Sequence, residues 1–84
     1  MWFIYIIRCA DNTLYTGITT DIARRLRQHN GELKRGARYT LHKRPVALAY
    51  LETTDSRSSA LKRELAIKKL SRVDKEILIN NSGV

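Results

Sequence analysis

The sequence predicts an α+β domain, with strands at about residues 2–8, 14–18 and 46–51 and helices at about 21–30, 56–70 and 72–80. Three observations carry this reading. The run WFIYIIR at 2–8 is aromatic and β-branched without a breaker, and a turn pair and a second short run follow it. Side chains able to cap a helix precede each of three later segments. The chain has 84 residues, enough for one domain over 1–84 and a modest core. The order is therefore β-β-α-β-α-α.

Each element has a local reason. Asp11-Asn12 suits a tight turn, so 2–8 and 14–18 (LYTGI) form a hairpin. Gly17 is unusual inside a strand and marks a bulge or a close approach to the backbone. Thr19, Thr20 and Asp21 offer N-cap oxygens to the first helix, and Asn30-Gly31 ends it. Residues 31–45, with glycine, basic residues and Pro45, read as a loop. VALAYL at 46–51 reads as the third strand. Asp55 or Ser56 caps the second helix, and Ser71 with Asp74 resembles a capping box for the third.

Composition narrows the function. Sixteen Lys and Arg against eight Asp and Glu leave a formal charge of +8, which favours a polyanionic partner. Nucleic acid and an anionic membrane surface both qualify, but the cations are not gathered on one amphipathic helix, which weakens the membrane option. The charge could also serve solubility alone. The longest apolar run, Trp2 to Ile7, is far too short to cross a bilayer and lacks the flanks of a signal peptide, so a cytoplasmic location is expected. The single Cys9 cannot form an internal disulfide, and with no CxxC pair a zinc knuckle is excluded.

The chemistry-bearing residues each have two readings. Ile22, Arg25, Leu26 and His29 share one helix face. An arginine beside an apolar stripe needs an anion, either a phosphate or an internal carboxylate, unless it snorkels to water. Tyr5 and Tyr15 come into cross-strand proximity on the hairpin; they form a hydroxyl cluster near Arg25 or are ordinary strand aromatics. Leu61, Glu64, Leu65 and Lys68 share a face of the second helix, where Glu64 pairs with Lys68 or holds Mg²⁺ with waters and substrate phosphates. The loop from Lys34 to Arg44 contains Lys34, Arg35, Arg38, Tyr39, His42, Lys43 and Arg44 and no acid. It is a solvated loop or a nucleic-acid contact that tracks the backbone and stacks on bases.

In ordered spacing these residues resemble the GIY-YIG nuclease superfamily. The first motif is Phe3-Ile4-Tyr5 and the second Tyr15-Thr16-Gly17. Arg24-Arg25-Leu26 and Gln28-His29-Asn30 follow. Arg38-Tyr39-Thr40, Arg44-Pro45-Val46, Tyr50-Leu51-Glu52, Ala60-Leu61-Lys62-Arg63-Glu64 and Ile67-Lys68-Lys69-Leu70 look like its short stand-alone branch (YhbQ-like proteins). The resemblance spans roughly residues 2–79. It implies a three-stranded antiparallel sheet with flanking helices, and phosphodiester hydrolysis assisted by one divalent metal, Mg²⁺ or Mn²⁺. It implies Glu64 as metal ligand and Arg25 as stabiliser of phosphate charge. Tyr5 and Tyr15 would position or deprotonate the attacking water, and His29 would assist proton transfer or phosphate binding. Two departures stand out: Phe3 replaces the glycine of the first triplet, and Thr16 the isoleucine of the second. Asn80 and Asn81 are both candidates for an asparagine that the family often places after the glutamate helix.

The expected activity is therefore a metal-dependent DNA endonuclease, directed by structure or single strands rather than by sequence, in DNA repair or processing. The competing expectation is a non-catalytic or partner-dependent nucleic-acid-binding module on the same scaffold. An adaptor for an acidic protein has no use for the Tyr, Arg and Glu set. A monomer is assumed.

Overall fold

The computed structural model describes residues 1–36 and 40–82. The strands are β1 (Trp2–Arg8), β2 (Leu14–Thr19) and β3 (Ala47–Thr54), and the helices are α1 (Ile22–His29), α2 (Arg57–Lys68) and α3 (Arg72–Ser82). Element order and fold class are as the sequence predicts. The sheet has the order β2-β1-β3, with both pairings antiparallel. β1, the most apolar strand, is central, as expected of the strand whose two neighbours leave it no wet edge.

Alternation along β1 divides the core. Ile4 and Ile6 face Ala60 and Ile67 of α2 and Ile79 of α3, joined by Tyr50 of β3. Tyr5, Ile7 and Cys9 face the other way, towards Ile22 and Leu26 of α1. The isoleucines at 4, 6 and 67 are almost fully buried, each contributing roughly 2 kcal/mol of hydrophobic stabilisation. Thr16, the departure in the second triplet, is buried opposite Ile6.

The caps follow the sequence closely. Asp21 accepts from the Arg24 N–H at 3.0 Å and Ser56 from that of Ser59 at 3.1 Å. Ser71 accepts from the Asp74 N–H at 3.1 Å. After α1, Gly31 adopts φ +82, the Gly31 N–H reaches Gln28 O and the Glu32 N–H reaches Arg27 O. This is the paired hydrogen bonding of a Schellman end.

The third strand departs from its expected span of 46–51. It begins one residue later and runs three further, to Thr54. At its start, the Asn30 side chain occupies the backbone of Val46: Oδ1 accepts from its N–H at 2.7 Å, and Nδ2 donates to its carbonyl at 3.2 Å. At its end, Thr53 and Thr54 pair with Phe3 and Trp2. Their polarity makes them read as loop, and pairing with β1 overrides that. A register shift beside Ile6 and Ile7 leaves Ala49 unmatched, so the sheet's irregularity lies in β3 and not at Gly17.

A polar clamp closes the chain on itself. Arg8 of β1 binds the Glu76 carboxylate of α3 through two nitrogens, at 2.6 and 3.0 Å. Arg72 adds a contact to Glu76 at 2.9 Å and one to the Asn12 carbonyl at 2.7 Å.

Asn30→Ala leaves the Val46 N–H and C=O without their partners. It is expected to destabilise by about 1–3 kcal/mol in urea unfolding. A loss under about 0.5 kcal/mol would mean that water replaces the amide without cost.

Candidate active site

The sheet face under α1 collects four of the five residues singled out by sequence. β1 and β2 are registered so that Tyr5 stands opposite Gly17 and Ile7 opposite Tyr15. The two tyrosines are thus diagonal neighbours on one face, with ring centroids 6.4 Å apart. Gly17 is the close approach its sequence position implies: a Cβ there would collide with the Tyr5 hydroxyl and lie 2.6 Å from Cζ.

α1 supplies the rest. Its Ile22 and Leu26 seat it on the sheet, which carries His29, one turn on, fully inside. The His29 ring stands edge-on to Tyr15, with centroids 5.1 Å apart. His29 Nε2 lies 3.0 Å from the Tyr5 hydroxyl, and Nδ1 lies 2.9 Å from Thr40 Oγ1. Arg25 is half-buried beside them. Its Nε donates to the Tyr5 hydroxyl at a long 3.4 Å. Its Nη1 donates to Gln28 Oε1 at 2.9 Å and to the carbonyl of Arg35 at 2.7 Å. Neither internal carboxylate pairing nor simple snorkelling describes this arginine.

The electrostatics are those of a dry, positive site. Burial, then the charges of Arg25 and Arg44, hold His29 down at about 4 from its ordinary 6.5. The imidazole is therefore neutral at physiological pH. Burial pushes the Tyr5 phenol above its ordinary 10, and the charges of Tyr15 and Glu64 add to that; the hydrogen bond and charge of Arg25 pull the other way. A neutral histidine facing a protonated phenol shares one hydrogen bond with it, and the tautomer of the imidazole decides which of the two donates.

Glu64 is on α2, across the sheet, yet its charge reaches Tyr5. The packed stripe of α2 is Ala60, Glu64 and Ile67, while Leu65, on the face that Glu64 shares with Leu61 and Lys68, points to solvent. The Glu64 side chain is 15% exposed and lies 3.6 Å from Lys68 Nζ. The ion pair read from the sequence thus forms, on a largely covered carboxylate whose charge still acts on Tyr5. Among the described residues no three His, Cys, Asp or Glu side chains gather to hold a metal by themselves. Glu64 as a lone carboxylate fits a hard cation that completes its shell with water and phosphate oxygens.

The basic loop divides. Lys34, Arg35 and His42 are exposed. Lys43 is tied to Asp11 at 3.1 Å and Thr13 at 3.3 Å, and Arg44 donates to the His29 carbonyl at 2.6 Å. Arg38 and Tyr39 lie outside the described residues. Asn80 and Asn81 are exposed on α3. Thr40 and Gln28 figure in the sequence only within family-like triplets, with no role of their own. Only their proximity to His29 and Arg25 in the fold brings them out.

The chain matches the family model described as the GIY-YIG catalytic domain over residues 1–76. It belongs to the GIY-YIG family. Similar GIY-YIG chains include a UPF0213 protein of Desulfotalea psychrophila, 59% identical and matched over 96% of this chain and 73% of the relative. Another, from Halobacterium salinarum, is 49% identical over 93% of this chain and 99% of its own. Among solved structures, a UPF0213 protein of Bacillus halodurans is 37% identical, with a TM-score of 0.63 over 99% of this chain and 87% of that one. A protein of Enterococcus faecalis is 40% identical, with a TM-score of 0.59 over 90% and 80%. GIY-YIG domains constitute a nuclease superfamily whose members generally depend on a divalent metal. Among the described residues no helix is long and apolar enough to cross a membrane.

Two measurements probe this geometry. Gly17→Ala forces a buried ring to move and is expected to cost about 1–3 kcal/mol in chemical unfolding; a neutral substitution would show that Tyr5 does not rest on Gly17. The second concerns pH. Between about 6.5 and about 4 the unfolded chain binds a proton at His29 that the folded chain refuses. Stability should therefore fall by up to roughly 3 kcal/mol as pH drops through that window. Asp11 and Glu76 are both held near 2, so their contribution is lost at lower pH, from below their ordinary 3.8 and 4.5. Urea midpoints of wild type and His29→Gln across pH 7 to 4 separate the effects; equal slopes would refute the buried neutral imidazole.

Proposed function

We propose that this protein is a divalent-metal-dependent DNA endonuclease, directed by DNA structure or single-strandedness rather than sequence, of the kind that repair or processing of DNA requires. The observation that carries the reading is the chain Arg25–Tyr5–His29, a cation and a neutral proton acceptor on the same phenol oxygen, with Glu64 within electrostatic reach.

The roles follow from the atoms. Arg25 has Nε and Nη1 committed, and among the described residues Nη2 has no hydrogen bond, so the guanidinium is already oriented when a phosphate arrives. Its long contact to Tyr5 is the one a phosphate oxygen can replace, and that exchange uncovers the phenol. The water oxygen then attacks phosphorus and the bond to the leaving strand breaks. As the water proton passes to the Tyr5 oxygen, the phenolic proton moves to His29 Nε2. Burial and the charges of Arg25 and Arg44 leave His29 neutral across the physiological range, and a phosphate beside Arg25 would offset that charge and raise its basicity, as accepting the proton requires. Tyr15 packs against both rings and holds the phenol in line. Glu64 is the residue that would hold Mg²⁺ or Mn²⁺, which supplies charge neutralisation at the phosphate and a more acidic water. Lys34, Arg35 and His42, exposed beside this site, are proposed to contact the DNA backbone, with Arg38 and Tyr39; Lys43 and Arg44 first serve to hold the loop.

A second reading is favoured by one observation. Tyr5 is only 1% exposed, so the resting phenol is not presented to water. A nucleic-acid-binding module without turnover would keep such a site closed.

Purified protein incubated with single-stranded, duplex and branched DNA separates these readings. Nicking is expected only with Mg²⁺ or Mn²⁺, and Arg25→Ala and Glu64→Ala are each expected to lose roughly 100-fold or more. Equal cleavage by both variants would refute the assignment. Salt-sensitive binding without cleavage by wild type would establish the second reading.

A further inference from the structure

We propose that Thr40 is a positioning residue for the proton-transfer pair: its hydroxyl fixes which nitrogen of His29 carries the proton, and so keeps Nε2 open to Tyr5. This rests on the nuclease reading above for its catalytic consequence, though not for its structural content.

The argument begins with counting. A neutral imidazole has one N–H and one lone pair, and the two ring nitrogens of His29 each face a hydroxyl. Nε2 faces Tyr5 at 3.0 Å and Nδ1 faces Thr40 Oγ1 at 2.9 Å. Each hydroxyl can donate or accept, so a bare three-member chain can run in either sense. Arg25 breaks the tie on one side. Its Nε donates to the Tyr5 oxygen and occupies acceptor capacity there, which favours Tyr5 as donor to Nε2. Thr40 completes the chain by accepting from Nδ1–H.

Burial makes this choice matter. His29 and Thr40 are both fully inside, and among the described residues no buried side-chain nitrogen or oxygen lacks a partner. With both groups fully buried, loss of the Thr40 oxygen takes away the partner of the Nδ1 N–H, and a stranded buried donor costs about 1–3 kcal/mol. The cheaper response is for the proton to move to Nε2. In that tautomer Nε2 donates to Tyr5, the phenol has nowhere to pass its proton, and the pair cannot serve an attacking water.

The loop carrying Thr40 is anchored for this task from both sides. The Lys43 carbonyl accepts from the Ala10 N–H at 2.9 Å, and the Lys43 N–H donates to the Thr40 carbonyl at 3.1 Å. Arg44 Nε reaches the His29 carbonyl at 2.6 Å, tying the loop to the residue whose ring Thr40 meets. An outer contact of this kind typically changes activity by about 10- to 100-fold when removed, as in the shells around metal-bound histidines.

The test uses the full chain with ¹⁵N-labelled histidine. In wild type, His29 should show a protonated, pyrrole-like Nδ1 and an unprotonated, pyridine-like Nε2. Thr40→Val, which keeps the shape and removes the hydroxyl, should exchange those two signatures. It should lower kcat for DNA nicking by roughly 10- to 100-fold with KM near wild type. Thr40→Ser should restore both. The proposal is overturned if wild-type His29 carries its proton on Nε2. It is equally overturned if Thr40→Val keeps the proton on Nδ1 with kcat within about twofold of wild type, a margin well inside the 10-fold minimum expected of an outer contact. If Thr40→Val fails to fold, the wild-type and Thr40→Ser spectra still decide the tautomer. If wild type cleaves no DNA, the nuclease reading falls, and the spectra alone support or refute the assignment of Thr40.

Discussion

The buried hydrogen bond between Tyr5 and His29 is the constraint around which this small fold is arranged. It joins the central strand to the helix lying on it, and both groups have given up water to make it. Its neighbours can each be read as a provision for it. A residue without a side chain sits opposite Tyr5 because the ring needs that space. Ile22 and Leu26 bring the helix down far enough for His29 to reach. The residue after His29 stops the helix and fastens the entry to β3, while the carbonyl of His29 itself anchors Arg44. The Tyr5–His29 bond and the junction between helix, loop and sheet are one construction.

The same constraint sets the electrostatic character of the site. Two arginines close to a buried imidazole would be costly if that imidazole were charged, and it is not. The positive field is left available to an anion from outside. An overall charge of +8 thus has a local focus, where Arg25 and Arg44 flank a neutral ring.

Much of this was legible in the chain. Strand order along the sequence, the helix caps at Asp21, Ser56 and Ser71, the stop at Asn30-Gly31 and the anomaly at Gly17 all follow from local rules, and local rules acted there. Arg25 and His29 were found because helical periodicity puts them beside Ile22 and Leu26. The failures are all tertiary. Thr53 and Thr54 have the polarity of a loop but the partners of a strand. Leu65 has the character of a core residue, but Ala60, Glu64 and Ile67 took the sheet side of the helix. Lys43 and Arg44 looked like free cations, because nothing in a linear sequence shows that Asp11 and the His29 carbonyl lie within reach. Thr40 was invisible for the same reason: a threonine in a basic loop has no signature until a histidine stands next to it.

The clamp from Arg8 to Glu76 has a consequence for how the protein comes into being. The first strand is fastened to the last helix, and the residues of the site are scattered between them. A nascent chain that has left the ribosome only through α1 already contains both tyrosines, Arg25 and His29, but neither Thr40 nor Glu64, and β1 still lacks one of its two neighbours. Tyr5, Tyr15, Arg25 and His29 are thus made before the strand, loop and helix that complete their surroundings. The surroundings of the site are completed in stages: the loop and α2 bring Thr40 and Glu64 after α1 is made, and the clamp on β1 closes only once α3 exists.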